Sequence, residues 1–102
     1  MKNNKVLSLL GLAMRGRNLV SGEFQTLSAI KTGEAMLVIV AEDASANSRK
    51  LYFDKCSFYE VPVYAFGTKE ELGKAIGKDY RSAVAVCDQG LADAIVKHLE
   101  SR

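Results

Sequence analysis

The chain has 102 residues, of which 48% are hydrophobic and 25% charged, and its formal net charge at pH 7 is +2. This length suits one compact domain and is too short for two, and the composition is that of an ordinary globular protein. A net charge this small does not by itself indicate a nucleic-acid partner, and no apolar run approaches the ~20 residues that cross a bilayer.

The first predicted element is a helix over residues 3–15, which Gly16 ends. Its basic start and apolar middle resemble a secretion signal, but no small-residue cleavage site follows, so we expect no secretion. The apolar residues instead repeat at the spacing of one helix face, namely Val6, Leu9, Leu10, Ala13 and Met14.

A very short strand over residues 18–20 and a second helix over residues 22–32 are predicted next, with Gly33 as the stop of that helix. The first turn of the helix is polar apart from one phenylalanine. We expect the apolar side of the helix to consist of Phe24, Leu27 and Ile30.

The middle of the chain predicts a buried strand followed by a third helix. Residues 35–41 are a continuous apolar, β-branched run, which is typical of a central strand covered on both faces. Loop and cap residues follow, and a helix is predicted over residues 47–59. Its apolar stripe is Tyr52, Cys56 and Tyr59.

The last part of the chain predicts two further strands, each followed by a helix. Residues 61–66 form a strand in which Pro62 fits only at the start or on an edge. Thr68 and Glu71 then form a capping box for a helix that ends at Ile76 and Gly77. Residues 82–87 form the next strand, and Asp88 caps a final helix carrying Ala92, Ile95, Val96 and Leu99.

The alternation of solid apolar strands with helices predicts a sheet between two helical layers, which is an α/β fold of three layers. Catalytic chemistry finds little support in such a chain. His98, the one histidine, lies near the end of the final helix and is expected to be exposed there. Glu42 and Asp43 are adjacent carboxylates after the central strand, and we expect them to cap the next helix.

The cysteines also indicate no catalytic or metal site. Cys56 and Cys87 match no metal or redox spacing, and we expect both to be small buried residues in a reducing cytosol. A single histidine excludes a histidine-based metal cluster. We therefore predict that the protein is not an enzyme and carries no cofactor or metal.

Positive charge is clustered at two places. Arg15 and Arg17 precede the second helix, and Lys31 lies in its last turn. In "GKDYRS" an aromatic residue stands between two basic ones, Lys78 and Arg81. Such a group can hold phosphate and offer a stacking plane, and scattered solubilising charges are the alternative interpretation.

Three stretches, "SGEFQTLSAIKTGEAMLVIVAEDAS", "YEVPVYAFGTKEELGKAIGK" and "SAVAVCDQGLADAI", resemble the kink-turn-binding ribosomal proteins of the L7Ae and L30e family, and within it the small bacterial YlxQ-like branch. The resemblance spans about residues 5–97. It implies a three-layer α/β/α sandwich with a small mixed sheet. It also implies that residues 1–102 form one RNA-binding domain that has no catalytic activity. The RNA that members of this family bind is sharply bent and contains sheared guanine–adenine pairs.

The resemblance also implies where RNA binds. In the family a glycine opens the second helix so that RNA can approach, and here that position is Gly22. The family then has an asparagine, an acidic residue and a lysine, where this chain has Phe24, Gln25 and Ser28. Gln25 can still accept from a guanine N–H, although without the added strength of a charge. Phe24 can stack on a base or turn into the core.

The family's second contact is the loop before the last strand, here residues 78–81. Together these considerations predict an RNA-binding set, expected largely on one side of the molecule around the start of the second helix. Its members are Arg15, Arg17, Ser21, Gly22, Glu23, Phe24, Gln25, Ser28, Lys31, Lys78, Tyr80 and Arg81.

The partner implied by the resemblance is structured RNA, with ribosomal RNA as a candidate. We expect no DNA or membrane partner, and a monomer in the cytoplasm that belongs to a ribonucleoprotein of translation. The alternative is a protein-interaction module of the transcription and translation apparatus, built on the same scaffold with kink-turn specificity lost.

Overall fold

The computed structural model describes residues 4–101, which form a four-stranded mixed sheet with helices on both faces. Within that range the helices are α1 (Asn4–Arg15), α2 (Glu23–Thr32), α3 (Ala46–Tyr59), α4 (Lys69–Ala75) and α5 (Gln89–Glu100). The strands are β1 (Leu19–Ser21), β2 (Leu37–Val40), β3 (Val63–Ala65) and β4 (Ala83–Val86).

The strands lie in the order β1-β4-β2-β3. β4 is antiparallel to both of its neighbours, whereas β2 and β3 are parallel. Every residue of β2 and β4 is buried, as expected of central strands covered on both faces. Pro62 lies just before the edge strand β3, and its carbonyl accepts from the Val38 N–H at 2.9 Å. The central position of residues 35–41 is therefore confirmed, and Pro62 lies at the start of a strand that is also at the edge of the sheet, in agreement with the two positions expected for it.

The helices form two layers. α1 packs against α4 and α5, and α2 packs against α3. Apolar side chains from the helices and from all four strands pack in or against one hydrophobic core cluster, in which Val6, Leu10 and Ile95 are completely buried. The prediction of a three-layer α/β fold is confirmed.

The predicted caps of the last two helices are present. Thr68 and Glu71 form the capping box, with the Glu71 N–H donating to Thr68 Oγ1 and the Thr68 N–H donating to Glu71 Oε1, each at 3.0 Å. Asp88 accepts from the Leu91 N–H at 2.9 Å. These caps satisfy backbone donors that the helices leave unpaired at their N-termini.

The prediction that Glu42 and Asp43 cap the next helix is wrong. Ser45 caps α3, accepting from the Ser48 N–H at 3.1 Å. Asp43 accepts instead from the Lys69 N–H at 2.8 Å, in the first turn of α4. The carboxylate thus joins the loop after β2 to a helix that is distant in sequence.

The predicted apolar side of α2 is also wrong. Phe24 is 83% exposed and Leu27 is half-buried, so that only Ile30 of the three lies fully in the core. The buried face of the helix is Thr26, Ala29 and Ile30. Helix α2 carries apolar residues on two faces, and the face with the smaller side chains packs inward against α3, β1 and β4.

Four smaller expectations differ from the structure. β1 begins one residue later than predicted. Tyr59 is 39% exposed because it is the last residue of α3, where its ring meets that of Phe58 edge-on at 4.9 Å between centroids. Cys87 was expected to be buried and His98 to be exposed, whereas both residues are half-buried. Cys56 is buried as expected, and burial raises the pKa of its thiol to about 11.

Candidate nucleic-acid interface

The N-terminus of α2 is open and lacks a side-chain cap. Gly22 is the residue before the helix, with φ 88° and ψ 162°, and no side chain in the described part of the chain caps the first turn. Glu23, Phe24 and Gln25, whose backbone N–H groups lie in that turn, are all exposed. These N–H groups and the helix dipole make the tip of α2 favourable for a hydrogen-bond acceptor or an anion.

Gly22 itself is both anchored and accessible. Its N–H donates to the Ala83 carbonyl of β4 at 3.3 Å, which holds the start of α2 against the sheet. A Cβ atom built on Gly22 meets no atom of the described residues 4–101 within 4 Å. The positive φ alone therefore accounts for a glycine at this position, and none of the described residues occupies the space in front of it.

The pairing of β1 with β4 brings a distant loop to this helix tip. Ser21 lies opposite Val84 in the sheet, so the residues just before β4 lie beside Ser21. The Arg81 Nε–H donates to Ser21 Oγ at 3.0 Å, and Nη1 donates to the Tyr80 carbonyl at 2.8 Å. The guanidinium is thus held in place next to the start of α2.

A cavity of about 420 Å³ forms between the helix tip and the loop, and we call it the α2-tip cavity. It has two basic residues, Lys78 and Arg81, and one acidic residue, Glu23, in its lining. The remaining lining residues are Ser21, Gly22, Phe24 and Gln25 from the predicted set, and Met14, Leu19 and Val20. Cationic side chains beside uncapped backbone N–H groups form a surface suited to phosphate and to base-edge acceptors.

A second depression follows the exposed face of α2, with a volume of about 520 Å³, and we call it the α2 outer groove. Two further residues of the predicted set, Ser28 and Lys31, line it together with Leu27 and Thr32. Glu23 and Phe24 line both the groove and the α2-tip cavity. The two depressions therefore adjoin at the first turn of the helix.

Three residues of the predicted set line neither depression. The Arg15 guanidinium lies over Gly11, with Nη1 3.6 Å from the position of a Cβ built there. Arg17 has a left-handed backbone with φ 63°, and its N–H donates to the Met14 carbonyl at 3.0 Å. Tyr80 is 64% exposed and meets the site through its backbone carbonyl.

Gly73 is a positioning residue that sequence reasoning missed. Its carbonyl accepts from the Lys78 N–H at 2.8 Å, and a Cβ built on it would lie 2.1 Å from the Asp79 carbonyl oxygen. The backbone of the loop that carries Lys78 and Arg81 therefore rests directly on α4. A glycine among strong helix formers was the available signal, since such a glycine destabilises a helix by ~1 kcal/mol and needs a packing reason.

The Glu23 carboxylate also acts on the neighbouring helix. Burial raises the pKa of Tyr52 in α3 to about 12, and the negative charge of Glu23 contributes in the same direction. This places the carboxylate near the buried ring as well as at the rim of the α2-tip cavity.

Among residues 4–101 no group of His, Cys, Asp and Glu side chains is arranged to hold a metal ion. None of the helices described is long and apolar enough to span a bilayer.

The model of the ribosomal protein L7Ae/L30e/S12e/Gadd45 family matches residues 4–96. RNA-binding protein YlxQ of Bacillus subtilis (strain 168) is 45% identical over 92 residues, covering 90% of this chain and 92% of that protein. A solved protein of unknown function from Bacillus halodurans C superposes with a TM-score of 0.90 at 41% identity, covering 94% of this chain and 97% of its own. The 15.5kD RNA binding protein of Giardia lamblia shares the fold, with a TM-score of 0.78 at 21% identity, covering 99% and 90% of the two chains.

Proposed function

Since the chain belongs to the ribosomal protein L7Ae/L30e/S12e/Gadd45 family, we propose that it is a non-catalytic RNA-binding protein that recognises sharply bent, kink-turn-like RNA. The observation that carries this proposal is the α2-tip cavity, where an uncapped helix N-terminus faces Lys78 and Arg81. The name of the Bacillus subtilis relative, an RNA-binding protein, supports the same class of partner. We propose a monomer as the binding unit and the ribosome as its setting, in keeping with the family's description.

In the proposed complex the helix tip enters a groove of the RNA. Gly22 lets the RNA approach the backbone, because no side chain of the described residues lies within 4 Å of the position that a Cβ would take. Gln25 offers an amide to base edges, while Lys78 and Arg81 neutralise phosphates. Gln25 and Phe24 take the places of residues that read guanine edges in the family, so we expect shape and phosphate contacts to supply more of the affinity than base contacts.

An electrophoretic mobility shift assay tests the proposal. A kink-turn RNA is compared with a straight duplex of equal length over a series of salt concentrations. We expect the kink-turn RNA to bind more tightly, with a logarithmic salt slope of about −3 to −5 for ~5 neutralised phosphates. Equal, micromolar or weaker binding to both RNAs contradicts the proposal. Partners that survive nuclease treatment in a pull-down would then favour a protein-interaction module.

Replacing Arg81 with alanine is expected to weaken binding of the kink-turn RNA by about tenfold to a hundredfold, since hydrogen bonds to charged groups contribute ~1.5–3 kcal/mol each. The salt slope should fall by about one unit, because one phosphate contact is lost. The control is Arg49→Ala, since the Arg49 Nε–H also donates to a protein oxygen, the Ala44 carbonyl at 3.1 Å, but on α3 outside both depressions. If both variants fold and lose affinity equally, Arg81 has no special role.

A further inference from the structure

The exposed face of α2 carries a second stripe of residues in addition to the buried one. The two faces are opposite each other on the helix, since the buried face is Thr26, Ala29 and Ile30. The outer stripe repeats with helical spacing and consists of Phe24, Leu27, Ser28 and Lys31. The α2 outer groove is therefore apolar near the start of the helix, at Phe24 and Leu27, and cationic near its end, at Lys31.

Phe24 is the main feature of this groove. This residue is 83% exposed although it lies in the first turn of a well-packed helix. Leu27 is half-buried, packs against the core and lines the groove together with Phe24. A groove lined by an exposed ring and an anchored apolar side chain suits a flat aromatic group, and ligand sites of ~300–1,000 Å³ commonly have such an apolar lining.

Resting on the proposed RNA-binding function, we propose that the α2 outer groove binds an unpaired nucleobase of the same RNA, stacked on Phe24, with an adjoining phosphate held by Lys31. Proximity supports this occupant, because Glu23 and Phe24 line the groove as well as the α2-tip cavity. An RNA strand that leaves the helix tip along α2 would therefore meet the groove next. Every base has a face that can stack, so this contact needs no particular sequence.

Charge also supports RNA as the occupant of the groove. Lys31 is exposed in the groove, where it complements a phosphate. Glu23, the acidic residue at the shared rim, is unsuited to phosphate but can accept from a base N–H. The groove therefore fits a base near Phe24 and a phosphate farther along, near Lys31.

The test uses a series of kink-turn RNAs, each with one 2-aminopurine at an unpaired or flanking position. We expect one position to change fluorescence on binding, and the change to disappear in Phe24→Ala. That variant should bind about 5- to 150-fold more weakly, the range found when stacking is removed. Lys31→Gln should lower the salt slope by about one unit. The matched control is Phe58→Ala on α3, where the aromatic residue is similarly exposed at 78%. This variant should change neither the fluorescence signal nor the affinity for the RNA.

The outcomes separate this inference from the proposed function. If the wild-type protein binds the kink-turn RNA and Phe24→Ala binds it equally well with the same fluorescence, the groove proposal is overturned while RNA binding stands. If the wild-type protein binds none of the RNAs, both the groove proposal and the proposed RNA-binding function are overturned. Sedimentation of the two proteins gives a third outcome. Self-association that Phe24→Ala abolishes, with RNA affinity unchanged, overturns the groove proposal in favour of a contact between copies.

Discussion

Replacing Gly73 with alanine is expected to destabilise the fold by about 2 to 3 kcal/mol, the upper part of the range for overpacking. The same substitution in an unconstrained helix interior stabilises by about 1 kcal/mol. The added methyl group would lie 2.1 Å from the Asp79 carbonyl oxygen and 2.6 Å from its carbonyl carbon. These are backbone atoms that cannot rotate away, so α4 or the loop must move. Urea unfolding followed by circular dichroism measures the change in free energy.

Gly90→Ala is the matched control, since Gly90 also lies in a helix but is exposed. A Cβ there would come no closer than 3.4 Å, to the Asp88 side chain. We expect this variant to match the wild-type stability or exceed it by up to about 1 kcal/mol. If Gly73→Ala behaves in the same way as Gly90→Ala, the loop does not rest on α4 as described.

The same variant connects stability to function. Lys78 and Arg81 remain in the Gly73→Ala sequence, but the loop that carries them must shift. If the variant folds, we expect it to bind the kink-turn RNA more weakly in spite of its unchanged charge. A loss of affinity at constant charge indicates that the position of the two cations, rather than their number, determines binding.

Most secondary structure was predictable because its causes are local. The continuous apolar runs at residues 35–41 and 82–87 contain β2 and β4, which are buried on both faces. The Thr68–Glu71 capping box depends only on two side chains three positions apart. Hydrophobic runs and caps are read within a few residues, so no knowledge of the rest of the fold is needed to predict them.

The orientation of α2 was not predictable in this way. Apolar residues lie on both of its faces, and periodicity alone could not tell Phe24 on the outside from Ala29 on the inside. Packing against α3 and the sheet determines which face is buried. The hydrogen bond from the Lys69 N–H to Asp43 is likewise non-local, since the partners are 26 positions apart. Contacts of this kind depend on topology, which local patterns do not contain.

The candidate site shows the same limit. Ser21 and Arg81 are 60 positions apart and meet because β1 pairs with β4, its neighbour in the sheet but not in sequence. The family resemblance predicted that the helix tip and the loop would meet, which residue patterns alone could not. Arg15 and Arg17 were grouped with the site for their nearness in sequence, yet they line neither depression.

Replacing Gly22 with alanine adds only one methyl group, yet it is expected to weaken RNA binding strongly. Its φ of 88° and ψ of 162° lie in a region open almost only to glycine, so alanine should destabilise the fold by about 1 to 3 kcal/mol. The methyl group meets no atom of the part of the chain that the structure describes within 4 Å, and it would project into the space where the RNA is proposed to approach. We expect affinity for the kink-turn RNA to fall by about tenfold to a hundredfold, as measured by mobility shift.

Gly33→Ala separates these two effects, because Gly33 ends the same helix with φ 83° and equally open surroundings. Alanine in its left-handed conformation should destabilise by about 1 to 2 kcal/mol, which is comparable strain at the opposite end of α2. Since Gly33 lines neither the α2-tip cavity nor the α2 outer groove, RNA affinity should stay at the wild-type level once the folded fraction is taken into account. If both variants bind as tightly as the wild type, RNA does not dock on the tip of α2. If both bind equally weakly, strain in the helix rather than a blocked approach explains the loss at Gly22.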